Sequence, residues 1–330
     1  MQPTTISSWA LLIWKAIESY GRDPRPLFEQ AAVDPNKLRD PNARYPISAL
    51  TRLWNLAARE TRDPCLGLTA ARFLHPTTLH ALGYSWLASD TLKEALERAV
   101  RYHRLVSNGF EARLEEIGEH YRFVIKPDDA VRVADEAIDA GMASLMGMCR
   151  ASCGADFNPL HVSMQRKPPT DRGAYSRVFR APIEFGAPEN VMTFGRETLN
   201  VPLPTGNAEL ARANDKVIRE YLARFDRGSI KHQVEVKLLE QLSSGHASQE
   251  SIAKSLNLSP RTLQRKLKQE ATTYKQLLDE TRRELATQYV REAHLSVNEI
   301  TFLLGFSEPA NFTRAFKRWN GVSPSQFRAS

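Results

Sequence analysis

The sequence predicts two domains of different class: an α+β N-terminal domain, built as a helical bundle plus a small mainly antiparallel sheet, and an all-α C-terminal domain of two helix-turn-helix motifs joined by a long helix. Three observations predict it. Apolar residues recur at helical spacing up to about Phe110, the period shortens to two after Gly109, and roughly the last eighty residues carry one pattern twice. A chain of 330 residues, 42% of them hydrophobic, has material for two cores. The domains are expected at 1–205 and 228–330, with a linker and connecting helix over 206–227.

In the N-terminal half, helices are expected over Trp9 to Tyr20, Ile47 to Ala58, Leu66 to Phe73 and Leu92 to Val106, with a Pro-rich turn through Asp23 and Pro26. The breaks Asp63-Pro64 and His75-Pro76 separate them, because the residue before a proline is pushed out of the helical region. Ala112 to Glu116 and His120 to Lys126 then read as a hairpin turning at Gly118. A helix from Val133 to Arg150, a strand near Leu160 to Gln165, a helix at Arg172 to Phe179 and strands at Ile183 to Phe185 and Val191 to Phe194 complete the α+β pattern. Val201 to Gly206, with two prolines, reads as the linker, and Ala208 to Phe225 as the connecting helix.

The C-terminal repeat aligns Ser248, Ile252, Leu256, Ser259, Leu263 and Arg265 with Ser296, Ile300, Leu304, Ser307, Phe312 and Arg314; the second copy has one extra residue just past the serine of the turn. Ser296 and Glu299 have the spacing of a capping box, which satisfies orphan backbone donors in the first helical turn. Ile300, Leu303 and Leu304 form the inner face. Gly305 follows where the chain needs positive φ, Phe306 plugs the corner, and Ser307 is placed to cap the next helix. In the first copy Asn257 stands in the glycine's place, which its tolerance of the left-handed region allows, and Ser259-Pro260 opens the second helix as cap and first residue. A single helix is expected between the copies from Thr273 to about Arg291, with Leu277, Leu278, Leu285 and Tyr289 inward and Arg282 and Arg283 outward.

The second helix of each copy is amphipathic with a basic outer side. Leu263 and Leu267 face in while Arg261, Gln264, Arg265 and Lys268 face out; Phe312, Phe316 and Trp319 face in while Thr313, Arg314, Lys317 and Arg318 fall largely outside, near Ala310. A solvated surface would account for either helix alone. Two capped pairs presenting Arg, Lys and small or amide polar residues from matching positions fit a pair of helices that enter DNA major grooves, where Arg bonds guanine and Gln bonds adenine in a bidentate manner. The charge agrees: from residue 228 onward 15 Lys and Arg face 10 Asp and Glu, whereas the preceding 227 residues hold 30 against 28.

Ser296 to Arg328, SVNEITFLLGFSEPANFTRAFKRWNGVSPSQFR, resembles the signature region of the AraC/XylS family of transcriptional regulators, S-x-x-E-I-A-x-x-L-G-F-S followed by F-x-R-x-F-K-R-x-x-G-x-x-P-x-x-Y-R. Thr301 and Phe327 are among its departures. The resemblance implies a seven-helix DNA-binding domain whose second helix in each motif enters a major groove. Its base-facing positions are then Arg261, Gln264 and Arg265 in the first motif and Ala310, Thr313 and Arg314 in the second. It further implies activation of transcription, promoter DNA and RNA polymerase as partners, and a homodimer. The helical start, Arg101-Tyr102 and Leu203-Pro204 resemble the arabinose-binding-like N-terminal domain of the branch that includes ornithine-utilisation regulators.

That second resemblance implies a small-molecule effector pocket, for which Tyr84, Trp86, Arg101, Tyr102, His103 and Arg104 have suitable chemistry. Core packing and surface charge are the alternatives for each residue, and an N-terminal half that only dimerises or binds a protein partner is the alternative for the domain. No nucleophile elbow, phosphate-binding glycine loop, zinc-ligand spacing or telling carboxylate pair occurs, so no catalytic residue, metal or cofactor is expected. Cys65, Cys149 and Cys153 read as buried thiols. With no leader pattern and no run of eighteen apolar residues, the protein is expected in the cytoplasm and off the membrane.

Overall fold

Residues 2–129, 131–225, 229–242, 247–270, 272–291 and 295–329 are described by a computed structural model of the chain, which divides into two units, Met1–Ile218 and Arg219–Ser330. The first begins with strand β1 (Thr4–Ile6), paired antiparallel with β2 (Arg44–Pro46), and helices α1 (Ser7–Ser19) and α2 (Arg25–Ala31) lie between them in sequence. Helix α2 replaces the expected turn through Asp23 and Pro26. Pro26 occupies the first helical turn, where its missing N–H is not needed, and the Asp23 carboxylate accepts from the Arg25 amide at 3.1 Å. Then come α3 (Ile47–Thr61), α4 (Leu66–Ala71), α5 (Ala81–Leu87) and α6 (Leu92–Val106). Helix α5 has no counterpart in the expectations: its seven residues are too few to show a helical period, yet Leu82 and Trp86 on it are buried.

The hairpin forms as β3 (Phe110–Ile117) and β4 (His120–Pro127), with Leu114 opposite Phe123. After α7 (Asp135–Cys153) come β5 (His161–Met164), α8 (Arg172–Phe179), β6 (Ile183–Phe185), β7 (Asn190–Gly195) and α9 (Arg196–Asn200). The sheet runs β3-β4-β7-β5-β6, antiparallel except for the β5–β6 pair. Two apolar clusters result. Phe123, Met192 and Phe194 of the sheet pack with Met146 and Cys149 of α7 and Trp86 of α5, while Ile13 and Ile17 of α1 pack with Phe28, Leu53 and Trp54. Inside the first unit Asp139 of α7 is fully buried against Arg166 and the Tyr175 hydroxyl; burial outweighs the guanidinium's attraction and lifts the Asp139 carboxyl to about 7.

Val201–Gly206, expected as a linker, is bonded back onto the first unit: the Leu203 amide donates to the Asp90 carbonyl at 2.8 Å and the Thr205 hydroxyl to the Leu87 carbonyl at 2.8 Å. Helix α10 (Ala208–Phe225) has the expected limits, and its first half belongs to this unit. Asp215 is 1% exposed and accepts from Arg98 Nε at 3.2 Å and from the Ser85 hydroxyl, while Arg98 also pairs with Glu94 at 3.0 Å.

The second unit comprises α11 (Ile230–Gln241), α12 (Gln249–Ser255), α13 (Pro260–Gln269), α14 (Tyr274–Arg291), α15 (Val297–Leu303), α16 (Pro309–Asn320) and α17 (Pro324–Ala329). It holds two cores. Val234, Leu238, Ile252, Leu263 and Leu267 form the first, and Ile300, Leu304, Phe312 and Phe316 the second. Helix α14 serves both, Leu277 entering the first and Ala286 and Val290 the second. Its fully buried positions are thus not the expected Leu278, Leu285 and Tyr289, which flank the cores as partly buried residues, because one helix is packing against two separate bodies. At the end of α13 the Glu270 carboxylate accepts from the amides of Ile230 and Lys231, at 2.8 and 3.0 Å, and so caps α11 across the fold.

Candidate nucleic-acid interface

Each helix pair is held by its own punctuation. In the first, the Ser248 hydroxyl accepts from the Ser251 amide at 3.1 Å, Asn257 takes φ 56°, and the Ser259 hydroxyl accepts from the Thr262 amide at 3.2 Å ahead of Pro260. Leu263 and Leu267 are fully buried, which turns Arg261, Gln264, Arg265 and Lys268 outward. Their spacing of three, four and seven places all four on one stripe of α13, about 10 Å long at helical rise.

In the second pair the capping box forms, with Glu299 N–H donating to Ser296 Oγ at 3.2 Å and Ser296 N–H to Glu299 Oε2 at 2.8 Å. Gly305 takes φ 64°, and a β-carbon there would sit 2.9 Å from the Leu242 carbonyl oxygen. Ser307 does not cap α16. The extra residue of this copy moves the cap to Glu308, which makes no side-chain cap bond, and Ser307 instead accepts from Asn311 Nδ2 at 3.3 Å. Arg282, expected on the outer face of the spacer, points inward. It donates to the carbonyls of Leu304 at 2.9 Å and Gly305 at 2.6 Å, and its guanidinium lies 4.3 Å from the Phe306 ring; burial lowers its pKa from the ordinary arginine value.

On α16 Ala310, Arg314 and Lys317 are exposed and Thr313 is half-buried, the same three, four, seven stripe as on α13. The two arginines here are engaged. Arg314 donates to the Asn311 side-chain oxygen at 2.7 Å, and Arg318 meets both Asp279 oxygens at 2.9 and 3.1 Å while Trp319 Nε1 donates to the same carboxylate at 3.0 Å. Sequence reasoning missed Asp279 and Glu270, since a partner 39 or 40 positions away leaves no local signal, and it did not pair Asn311 with Arg314 three residues on. Helix α14, at 18 residues, spans about 27 Å, close to one turn of B-DNA.

The six effector candidates do not converge. Trp86 and His103 border a cavity of about 160 Å³ between the two apolar clusters of the first unit, walled also by Trp9, Trp54, Phe123 and Met148. His103 and Arg104 border a neighbouring polar cleft with Lys126 and Asp128. Tyr84 is 48% exposed, and Tyr102 is buried beneath Arg101, whose guanidinium lies 5.8 Å from its ring; none of these three lines either space. Trp86 Nε1 donates to Ser152 Oγ at 3.0 Å, and His103 Nδ1 contacts the Val100 carbonyl at 2.8 Å. Cys65 and Cys149 are buried and Cys153 half-buried, all three as free thiols; burial pushes Cys65 up to about 11. No helix of the described residues is long and apolar enough to cross a membrane.

Residues 21–203 match the family model described as the arabinose-binding domain of AraC transcription regulator, N-terminal, and residues 252–330 match a helix-turn-helix domain. An ornithine utilization regulator of Pseudomonas aeruginosa is 29% identical over 97% of this chain and 95% of its own. A urease operon transcriptional activator of Escherichia coli is 35% identical over 32% of this chain and 36% of its own. The crystal structure of the transcriptional regulator CdpR from Pseudomonas aeruginosa is similar at TM-score 0.47 and 20% identity, covering 97% of this chain and 98% of that one.

Proposed function

This chain belongs to the AraC family of transcription regulators and is a DNA-binding regulator rather than an enzyme; we propose that it is an activator that responds to a small-molecule effector held in its N-terminal unit. The observation that carries the reading is the pair of matched stripes, Arg261-Gln264-Arg265-Lys268 and Ala310-Thr313-Arg314-Lys317, on helices joined by a spacer of about one DNA turn. In this reading the first stripe reads bases with three directional side chains. The second reads with Arg314, touches thymine methyl groups with Ala310 or Thr313, and holds phosphates with Lys317 and Arg318. Arg318 reaches a phosphate only by exchanging Asp279 for it.

Activation, contact with RNA polymerase and a cytoplasmic setting accompany that role, and the E. coli relative's description as an activator supports the first. The N-terminal unit is proposed to dimerise, which raises the local concentration of the second DNA-binding unit. Signal would leave the cavity through α6, whose Ala99, His103 and Val106 are wall residues and whose Arg98 grips Asp215 of α10, the helix that runs on into the second unit. Footprinting of the full chain on its promoter, with anisotropy titrations in rising salt, tests the core of this. Two protected major grooves about one turn apart and an affinity that falls steeply with salt are expected. A single protected groove, or an affinity indifferent to salt, would remove the paired-stripe reading.

A further inference from the structure

The cavity in the first unit has walls of a particular kind. Besides the His103 ring and the indole N–H groups of Trp9, Trp54 and Trp86, its polar side chains are the hydroxyls of Thr5, Thr51, Ser107 and Ser144, and three of these hydroxyls are used within the fold. Thr5 donates to Ser107 at 3.1 Å, Ser107 accepts from the Gly109 amide at 3.3 Å, and Thr51 donates to the Arg132 carbonyl at 2.9 Å. Ser144, 4% exposed, has a buried hydroxyl with no hydrogen-bond partner among the described residues. A helical serine ordinarily bonds the carbonyl one turn back, and leaving a buried hydroxyl unmatched is costly. One turn before it on the same face of α7 stands Gly141, also a wall residue, and a β-carbon there would meet nothing within 4 Å. Glycine in mid-helix is destabilising relative to alanine, and no neighbour here requires it.

We infer that the cavity binds an uncharged, mainly apolar molecule of about one aromatic ring, carrying a single hydroxyl or carbonyl group that pairs with Ser144 over the space left by Gly141. The inference rests on the effector-sensing reading and gives it a ligand class. At about 160 Å³ the space is close to the roughly 150 Å³ engineered cavity that accepts benzene, so a ring with a small substituent fits. A sugar or a charged amino acid does not suit it: several hydroxyls, or an ammonium and a carboxylate, would lose water against walls that are almost entirely carbon. The hydroxyl of Ser144 both donates and accepts, so an alcohol, phenol or ketone is matched equally.

The test uses the full chain and thermal shift backed by calorimetric titration, with phenol, p-cresol and indole as probes, toluene and p-xylene as their hydrocarbon counterparts, and L-ornithine and L-arabinose as polar ones. Phenol is expected to bind about tenfold more tightly than toluene, and Ser144→Ala to abolish that preference while both still bind, since one net hydrogen bond corresponds to about a factor of ten. Gly141→Met is expected to fill the space. It should melt at or above the wild-type temperature and lose the response to every ring probe, so that lost binding is not confused with lost folding. Saturable binding of ornithine or arabinose that survives Gly141→Met would overturn the ligand class and leave effector sensing standing. No response to any probe would overturn both.

Discussion

The two helix-turn-helix motifs are built from one sequence plan and stand under different constraints. At the turn, Asn257 and Gly305 both take positive φ, 56° and 64°, but the glycine is also hemmed in by the Leu242 carbonyl and Arg282. At the start of the outer helix, Ser259 makes its cap bond while Ser307 makes none. On the outer face, no described hydrogen bond or ion pair ties Arg261, Gln264 or Arg265 to the rest of the fold, whereas Arg314 and Arg318 are each held by a neighbour. A repeat in sequence therefore preserves local conformation and leaves tertiary surroundings free to diverge, and each difference can be broken separately.

The turn should give the largest effect. Gly305→Val puts a β-branched residue at positive φ and drives its β-carbon against a backbone oxygen that cannot swing aside, so a loss of about 3 kcal/mol in urea unfolding is expected. Gly305→Asn keeps the tolerance for positive φ and meets the same wall, so it should still cost about 1 to 2 kcal/mol. Asn257→Gly should change stability by less than about 0.5 kcal/mol. Near-equal costs for asparagine and glycine at both turns would mean that backbone angle alone governs the two positions.

Next in size is Arg282. Removing its side chain in Arg282→Ala leaves the Leu304 and Gly305 carbonyls without their charged donor and strips the face of Phe306, so about 2 kcal/mol of stability should be lost. Arg283→Ala, one residue on and exposed, should be nearly neutral. Equal behaviour of the two would restore Arg282 to the solvated surface that its sequence suggested.

The contrast between these neighbours shows what the sequence could carry. The caps Ser248, Ser259 and Ser296, the turn residues and the buried rows of α12, α13, α15 and α16 were legible, because each depends on residues a few positions apart; the expected cap Ser307 was not borne out. So were α6 and α8, whose limits coincide with those expected. Arg282, Asp279 and Glu270 were illegible, since their partners lie tens of residues away and an arginine bonded to carbonyls has the same letter as one in water. In the first unit, α2 hid behind Pro26, and α5 was too short for periodicity. The cavity was hidden for a different reason: Gly141 and Ser144 matter through what does not touch them, and absence of contact leaves no pattern in a chain.

On DNA the outer faces should separate by sequence dependence. Arg265→Ala is expected to cost about 1 to 2 kcal/mol on the cognate site and much less on random DNA, because a bidentate contact to guanine is lost. Lys317→Ala should weaken both alike and reduce the salt slope by about one. Arg314, already oriented by Asn311, should fall between them. Titration of each variant against single-base operator mutants reads this directly, and a uniform loss across all sequences for Arg265→Ala would return that residue to the phosphate class.

The smallest contrast lies at the outer-helix starts. Ser259→Ala removes an acceptor from the Thr262 amide, one of the orphan donors at the beginning of α13, and should cost about 1 kcal/mol. Ser307→Ala removes only an exposed contact with Asn311 at 3.3 Å, because the inserted residue has already moved the helix start to Glu308, and should cost a few tenths at most. Its indirect effect is the more telling one. Asn311 bonds both Ser307 and Arg314, so loss of the serine frees one end of the amide and loosens the orientation of the arginine. Ser307→Ala should therefore leave unfolding unchanged and lower base discrimination at the position read by Arg314 by roughly twofold, well under the 1 to 3 kcal/mol of a direct base contact. A melting loss matching that of Ser259→Ala would show that the serine caps α16 after all, and the two motifs would then begin their outer helices alike.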